Sequence, residues 1–306
     1  MSVERYECRE RIACIGFGEA AAAFVQGWRT HADVDVRAFD IKTDDPKTRD
    51  GKLQDYQVQG VAGTGTAAEA VTDADVIISA VTAEAAAEAA RSVANDMRPG
   101  ALYLDVNSAA PSRKCEAAGV VTAAGGAYVD VAVMAPVHPT LHHTPLLVSG
   151  PDVARAQDLM QRLDMRFEVV SDTVGDASTI KMVRSVMIKG IEALVAESIV
   201  GAVQQGIDAR VLASLDITYP GMNWTKRAGY MLERMVRHGG RRAEEMREVA
   251  KTMDDLGIGG PMAAATAQRQ QRVADLGLLD TFRGEPPEDH RILAQAILDA
   301  EKEQDT

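Results

Sequence analysis

Cysteine is scarce in this 306-residue chain, and so are two other features that often declare a protein's business: a basic excess and a long apolar run. Cys8, Cys14 and Cys115 are few, odd in number and far apart. They form no disulfide framework and no metal-ligand spacing, and they point to a reducing compartment. Lysine and arginine total 33 against 45 acidic residues, a net charge of −12. Nucleic acids and anionic membranes recruit proteins through basic surface, so neither is an expected partner. No apolar stretch reaches the roughly 18 residues of a membrane span, and no basic lead followed by an apolar core opens the chain. The cytoplasm is the expected location. Internal repeats and low-complexity linkers are missing too. The length leaves room for two domains, each with its own core.

What is present changes character part-way along. Arg11–Ile15 is a short apolar strand that runs into Gly16-Phe17-Gly18-Glu19-Ala20-Ala21, a G-x-G-x-x-A turn opening an alanine-rich helix. Gly16 permits a tight turn, Gly18 lets the backbone approach a pyrophosphate, and the helix start offers N–H groups to an anion. A second strand, Val34–Phe39, ends in Asp40, where an acid can bond an adenine ribose 2′-OH. Lys42, Lys47 and Arg49 nearby could meet a 2′-phosphate, so NAD is the expected cofactor and NADP stays open. Strand Asp75–Ala80 ends in Val81 and Thr82, and strand Leu102–Val106 ends in Asn107 and Ser108. In a parallel sheet these ends face the cofactor crevice. Tyr128–Val133, Leu146–Ser149 and Phe167–Val170 extend the strand pattern. Three histidines, His138, His142 and His143, fall within six residues, but no carboxylate or thiolate with ligand spacing stands beside them. No metal centre is expected there; the loop should face substrate or solvent.

Strand signals stop at Gly175. The run from Ala177 to Gln205 repeats apolar residues at Ile180, Val183, Met187, Ile191, Leu194 and Val195, the rhythm of an amphipathic helix. It carries Lys181 in its first turn, and Lys181, Ser185, Ile188 and Glu192 fall on one face. Further helices are expected over Ala209–Leu215, Asn223–Arg237, Arg242–Leu256, Pro261–Leu276 and Asp289–Lys302. The expected fold is an α/β Rossmann-type N-terminal domain, residues 1–173, followed by an all-α C-terminal domain, residues 174–306.

The GFGEAA turn, the Asp105-Val106-Asn107-Ser108 strand end, Tyr128-Val129-Asp130, and Gly175 six residues before Lys181 resemble the β-hydroxyacid dehydrogenase family. Its members include 3-hydroxyisobutyrate, tartronate-semialdehyde and 6-phosphogluconate dehydrogenases. Lys181-Met182-Val183 is similar to the phosphogluconate enzyme's K-M-V run, and Leu256 to Pro261 resembles the family's closing L-G-x-x-x-P pattern, so the likeness spans nearly the whole chain. It implies a dimer, Lys181 as general acid/base, Asn107 and Ser108 flanking the nicotinamide, and Ser185 bonding substrate. A lysine serves as a base near neutral pH only where burial or a neighbouring cation, here Arg184, lowers its pKa.

The departures concern the substrate. The family's D-x-P-V-S-G-G loop is replaced by Asp130-Val131-Ala132-Val133-Met134-Ala135-Pro136, which removes or rebuilds an anion clamp and leaves Met134 facing the substrate. Ser185 stands where the family has an asparagine, Glu244 where it has a later lysine, and Ile188 where the decarboxylating enzyme has a glutamate. Arg184, Arg241 or Arg242 could receive an acidic group instead. The departures put the chain nearest the subgroup whose helical domain has no assigned function. The expected activity is NAD(P)-dependent interconversion of a small hydroxy acid and its carbonyl form. An imine reductase, a decarboxylating dehydrogenase and a non-catalytic nucleotide sensor are the rivals.

Overall fold

The computed structural model describes residues 10–29 and 33–304; Cys8 lies outside them. The chain divides between Lys181 and Met182 into two compact units, inside a single helix. The boundary expected from the sequence, 173/174, lies in the turn just before that helix.

The first unit is built on an eight-stranded sheet. Its strands are β1 (Glu10–Ile15), β2 (Val34–Phe39), β3 (Ala62–Gly63), β4 (Val76–Ser79), β5 (Leu102–Asp105), β6 (Ala127–Val133), β7 (Leu146–Ser149) and β8 (Phe167–Ser171). They lie in the order β3-β2-β1-β4-β5-β6-β7-β8, all parallel except the β6–β7 pair. Helices α1 (Glu19–Trp28), α2 (Pro46–Gln59), α3 (Ala67–Val71), α4 (Ala86–Ala94), α5 (Pro111–Ala123) and α6 (Val153–Arg162) fill the connections. Strand order reverses at β1, which has β2 on one side and β4 on the other. That switch leaves a crevice at the carboxyl ends of the strands.

A strand covered on both faces reads as a continuous apolar run. Ile12–Ile15 and the whole of β4 and β5 are buried in this way. Ile12, Cys14, Ile78 and Leu104 pack with α1 and α6, while Ala13, Ile15, Ile77 and Tyr103 pack with α3, α4 and α5. Burial pushes the Cys14 thiol up to about 12, which leaves it an inert core residue.

The second unit is helical, and its core gathers Val195, Ile199, Leu212, Leu232, Met235, Leu293 and Ile297. Helix α7 (Asp176–Gln204) runs in from the first unit, followed by α8 (Asp208–Thr218), α9 (Trp224–Asp255), α10 (Pro261–Asp275), α11 (Leu278–Thr281) and α12 (His290–Gln304). One sequence expectation, of separate helices over Asn223–Arg237 and Arg242–Leu256, is corrected here. The glycine pair Gly239-Gly240 does not separate two helices; α9 passes straight through it. Glycine serves close packing instead, since a Cβ at Gly239 would lie 2.8 Å from the Gln270 carbonyl oxygen of α10. The apolar residues of α7 divide: Val195 is buried in this unit's core and Ile191 packs against it, whereas Val183, Met187 and Leu194 are 44%, 63% and 60% exposed, and Ser185, Lys189 and Glu192 are buried. Glu192 is paired with Arg242, and Lys189 meets Glu245 at 2.7 Å, both on α9. Ion pairs offset the cost of turning the polar side in.

Candidate active site

The glycine turn is shaped by steric necessity. Gly16 has φ +83°, and a Cβ there would press on the Ala80 carbonyl of the neighbouring strand end. Its N–H donates to the Phe39 carbonyl at 2.8 Å, which closes the turn against β2. Phe17 turns inward, 1% exposed, and its ring meets Tyr56 edge-on at 5.3 Å. Gly18 and Glu19 are exposed, and nothing lies within 4 Å of where a Gly18 side chain would sit. This is the open cradle that a pyrophosphate requires, at the start of α1, whose first-turn amides have no acceptor within the helix.

Asp40 follows β2 and is buried, with both oxygens in use: Oδ2 accepts from the Phe17 N–H at 2.8 Å and Oδ1 from the Lys42 N–H at 3.0 Å. It therefore braces the glycine turn, a role the sequence did not reveal. A carboxylate offers about four acceptor positions, so two remain for a ribose hydroxyl. Lys52 adds a second brace, its buried ammonium donating to the Phe17 carbonyl at 2.7 Å.

The ends of β4 and β5 are tied together by Asn107. Its side-chain oxygen accepts from the Val81 N–H at 2.6 Å, and its amide nitrogen donates to Ser79 Oγ at 2.9 Å. Asn107 is thus a buried strut holding Val81 in position. Thr82 beside it is exposed. Ser108 Oγ is buried and finds no hydrogen-bond partner among the described residues. A buried hydroxyl in that condition suits a ligand or water beside it. Met134, at the end of β6, is half-buried.

Beneath these strand ends lies a cluster that sequence reasoning missed. Lys114 of α5 is fully buried, its Nζ 2.8 Å from Asp105 Oδ1 and 3.2 Å from Asp130 Oδ1, and both carboxylates are fully buried as well. One cation thus faces two anions, and hydrogen bonds offset the imbalance. Tyr128 Oη donates to Asp105 at 2.7 Å, and the Asn107 N–H donates to the same carboxylate at 2.9 Å. Burial, then the adjacent carboxylates, raises the Tyr128 pKa well above its usual range, so it remains a donor. Asp130 accepts from the N–H and the hydroxyl of Ser178, at 2.9 and 2.7 Å, in the first turn of α7. The cluster therefore joins the Asn107 strand end to the start of the helix that bears Lys181.

Lys181 itself is half-buried, and Ser185 follows it one turn later on α7, buried. Arg184 and Arg241 are exposed. Arg242 differs: its guanidinium grips the Glu192 carboxylate with two nitrogens, Nε to Oε2 at 3.0 Å, and Gln270 Nε2 donates to the same oxygen at 3.2 Å. That fork is occupied within the second unit, which weighs against the substrate-anion role expected of Arg242. The carboxylate that the histidine loop lacks in sequence is supplied in space by Asp164.

Residues 11–109 match the family described as NADP oxidoreductase coenzyme F420-dependent, and residues 202–273 match a domain of unknown function, DUF1932. A conserved hypothetical protein of known structure from Sinorhizobium meliloti 1021 is 33% identical to this chain; the match covers 96% of this chain and 97% of that one, with a TM-score of 0.74. A conserved protein of unknown function, described as structurally similar to 3-hydroxyacid dehydrogenases, is 29% identical over 87% of this chain and 97% of its own, with a TM-score of 0.67. The 3-hydroxyisobutyrate dehydrogenase of Mycobacterium tuberculosis, solved with L-serine, shares the fold at 18% identity, covering 94% of this chain and 98% of that one, with a TM-score of 0.69. The chain belongs to one family with the Sinorhizobium meliloti protein, and it is a divergent β-hydroxyacid dehydrogenase-like member that shares the fold of 3-hydroxyisobutyrate dehydrogenase.

Proposed function

We propose that this protein interconverts a small hydroxy acid and its carbonyl form, with NAD as the preferred cofactor and Lys181 as general acid/base. The observation that carries the reading is the buried run of bonds from Asn107 through Asp105, Lys114 and Asp130 to Ser178, three residues ahead of Lys181. It holds in one frame the strand end that would border the nicotinamide and the helix start that bears the lysine.

When bound, the nicotinamide supplies or accepts a hydride. This chain does the remainder. Gly16 and Phe17 shape the turn, Gly18, Glu19 and Ala20 present it to the pyrophosphate, and Asp40 accepts from the ribose 2′-OH. Val81, Thr82 and Asn107 border the nicotinamide, and Ser108 and Met134 face the substrate. Lys181 Nζ takes the hydroxyl proton in oxidation and returns it to the oxygen in reduction, a transfer that contributes about 10²–10⁴-fold. Ser185 donates to the substrate, and Arg184 or Arg241 receives its acidic group. The exposed stripe of Val183, Met187 and Leu194 is covered by a second copy of the chain, which makes the protein a homodimer.

The test is turnover of NADH or NADPH with the purified protein against a panel of hydroxy acids, semialdehydes and cyclic imines. Turnover of a hydroxy acid or semialdehyde is expected. Cofactor binding with no turnover on any member would replace the enzyme by a nucleotide sensor, and turnover of imines alone would make it a reductase of another bond.

A further inference from the structure

Among the described residues, one group of histidine and carboxylate side chains comes close enough to share an ion. His142, His143 and Asp164 each offer a ligand atom, and these atoms all lie within 4.8 Å of one another. They come from two segments of the first unit. The histidines occupy a short 3-10 turn, Leu141–His143, in the β6–β7 connection, and Asp164 lies in the turn between α6 and β8. We propose that these three side chains bind one zinc ion, which clips the β6–β7 connection to the α6–β8 turn.

The donor set selects the metal. Two imidazoles and a carboxylate suit zinc, whereas calcium and magnesium demand all-oxygen shells. Zinc–nitrogen and zinc–oxygen bonds of about 2.0–2.2 Å put neighbouring tetrahedral ligands about 3.3 Å apart. His143 Nε2 and Asp164 Oδ2 are already 3.0 Å apart. The third ligand is held from the other side. His142 is buried, and its ring takes the space that a side chain at Gly27 of α1 would fill. Its ring centroid is 4.0 Å from that of His143, with the planes 37° apart. The remaining adjustment falls to His143 and Asp164, whose side chains are 50% and 63% exposed and so can move and admit an ion from solvent. Three protein ligands leave a fourth position for water.

The competing description is a surface His–Asp ion pair, which contributes about 0–1 kcal/mol and gives no reason for a second, buried imidazole beside it. The two descriptions separate on metal titration. Protein stripped with EDTA is titrated with ZnCl2 by calorimetry and with CoCl2 by visible absorption. One ion per chain is expected, with His143→Ala and Asp164→Asn each weakening binding by more than the roughly 10–100-fold typical of losing an outer-shell partner. Both positions are exposed, and far-ultraviolet circular dichroism checks that the variants fold. Zinc should also raise the unfolding temperature of the wild type and of neither variant. No binding at about 100 times the micromolar range would leave only the ion pair. Undiminished binding in both variants would assign the ion to other residues, and equal binding of CaCl2 would contradict the donor-set argument.

Discussion

Replacing Lys114 by methionine removes the one cation between two fully buried carboxylates and leaves a side chain of similar length in its place. Asp105 keeps Tyr128 and the Asn107 N–H, and Asp130 keeps Ser178, but both charges stay in a dry interior with no counterion. Removing one partner of a buried ion pair costs about 3–5 kcal/mol. For a unit the size of the first one, each kcal/mol corresponds to about 2–4 °C, so its transition should fall by about 6–20 °C. The two tryptophans allow this to be read by unit: Trp28 is buried in the first core and Trp224 in the second. In a Trp224→Phe background, urea unfolding followed by Trp28 fluorescence should show the loss. Arg91→Met, which breaks an exposed contact with Glu116, serves as the control and should stay within about 0.5 kcal/mol. Adding Asp130→Asn to Lys114→Met removes one stranded charge, and the pair should couple by about 0.5–3 kcal/mol. A loss below about 1 kcal/mol, or strict additivity in the double variant, would refute the view that this lysine neutralises the cluster.

Other consequences can be checked one by one. Asp40→Asn turns an amide NH2 towards an N–H donor, at a cost of about 1–3 kcal/mol, so the NADH dissociation constant should rise at least about fivefold and the NADP-to-NAD ratio of kcat/KM should increase; fluorescence titration and steady-state rates with both cofactors decide it. Burial, then Arg234, Arg241, Arg242 and Arg237, lowers the His238 pKa from 6.5 to about 4. The unfolded chain therefore binds a proton first as pH falls, stability declines from about pH 6.5 towards pH 4, and His238→Gln should flatten that limb in urea melts at stepped pH. Light scattering at micromolar concentration should give twice the chain mass, and Met187→Asp, on the exposed stripe of α7, should shift it towards the monomer.

What the sequence disclosed, and what it concealed, follows the range of the interactions. The glycine turn, Asp40, and the Val81 and Asn107 strand ends each sit in a local pattern with a steric or electrostatic reason, and the structure gathers them at one edge of the sheet. Lys114 has no such pattern, because its carboxylate partners lie on two separate strands and a buried lysine runs against the usual preference. One signal was available: Lys114 shares a helical face with Ala117, Ala118 and Val121, which are all buried. A charged residue on an apolar face requires a partner. The same hint was present on α7, where Ser185, Lys189 and Glu192 follow one face, but the partner arginine of Glu192 lies 50 residues away. Periodicity shows that a helix has two faces without saying which is covered. Gly239 misled for a related reason: a glycine pair signals a break locally, and only the backbone of α10 against it reveals the packing role.

The account turns on Lys181. If this lysine passes the proton at the substrate oxygen, Lys181→Ala should lower kcat by about 100-fold or more. NADH affinity should be almost unchanged in the same protein. Lys181→Arg, which keeps the charge but cannot release a proton near neutral pH, should fail almost as badly. The measurement is steady-state turnover of both variants on whichever hydroxy acid or semialdehyde the wild type accepts, alongside NADH titrations. Loss of turnover with intact NADH binding is the predicted result; wild-type-like rates in Lys181→Ala would contradict it and leave the fold without this catalyst.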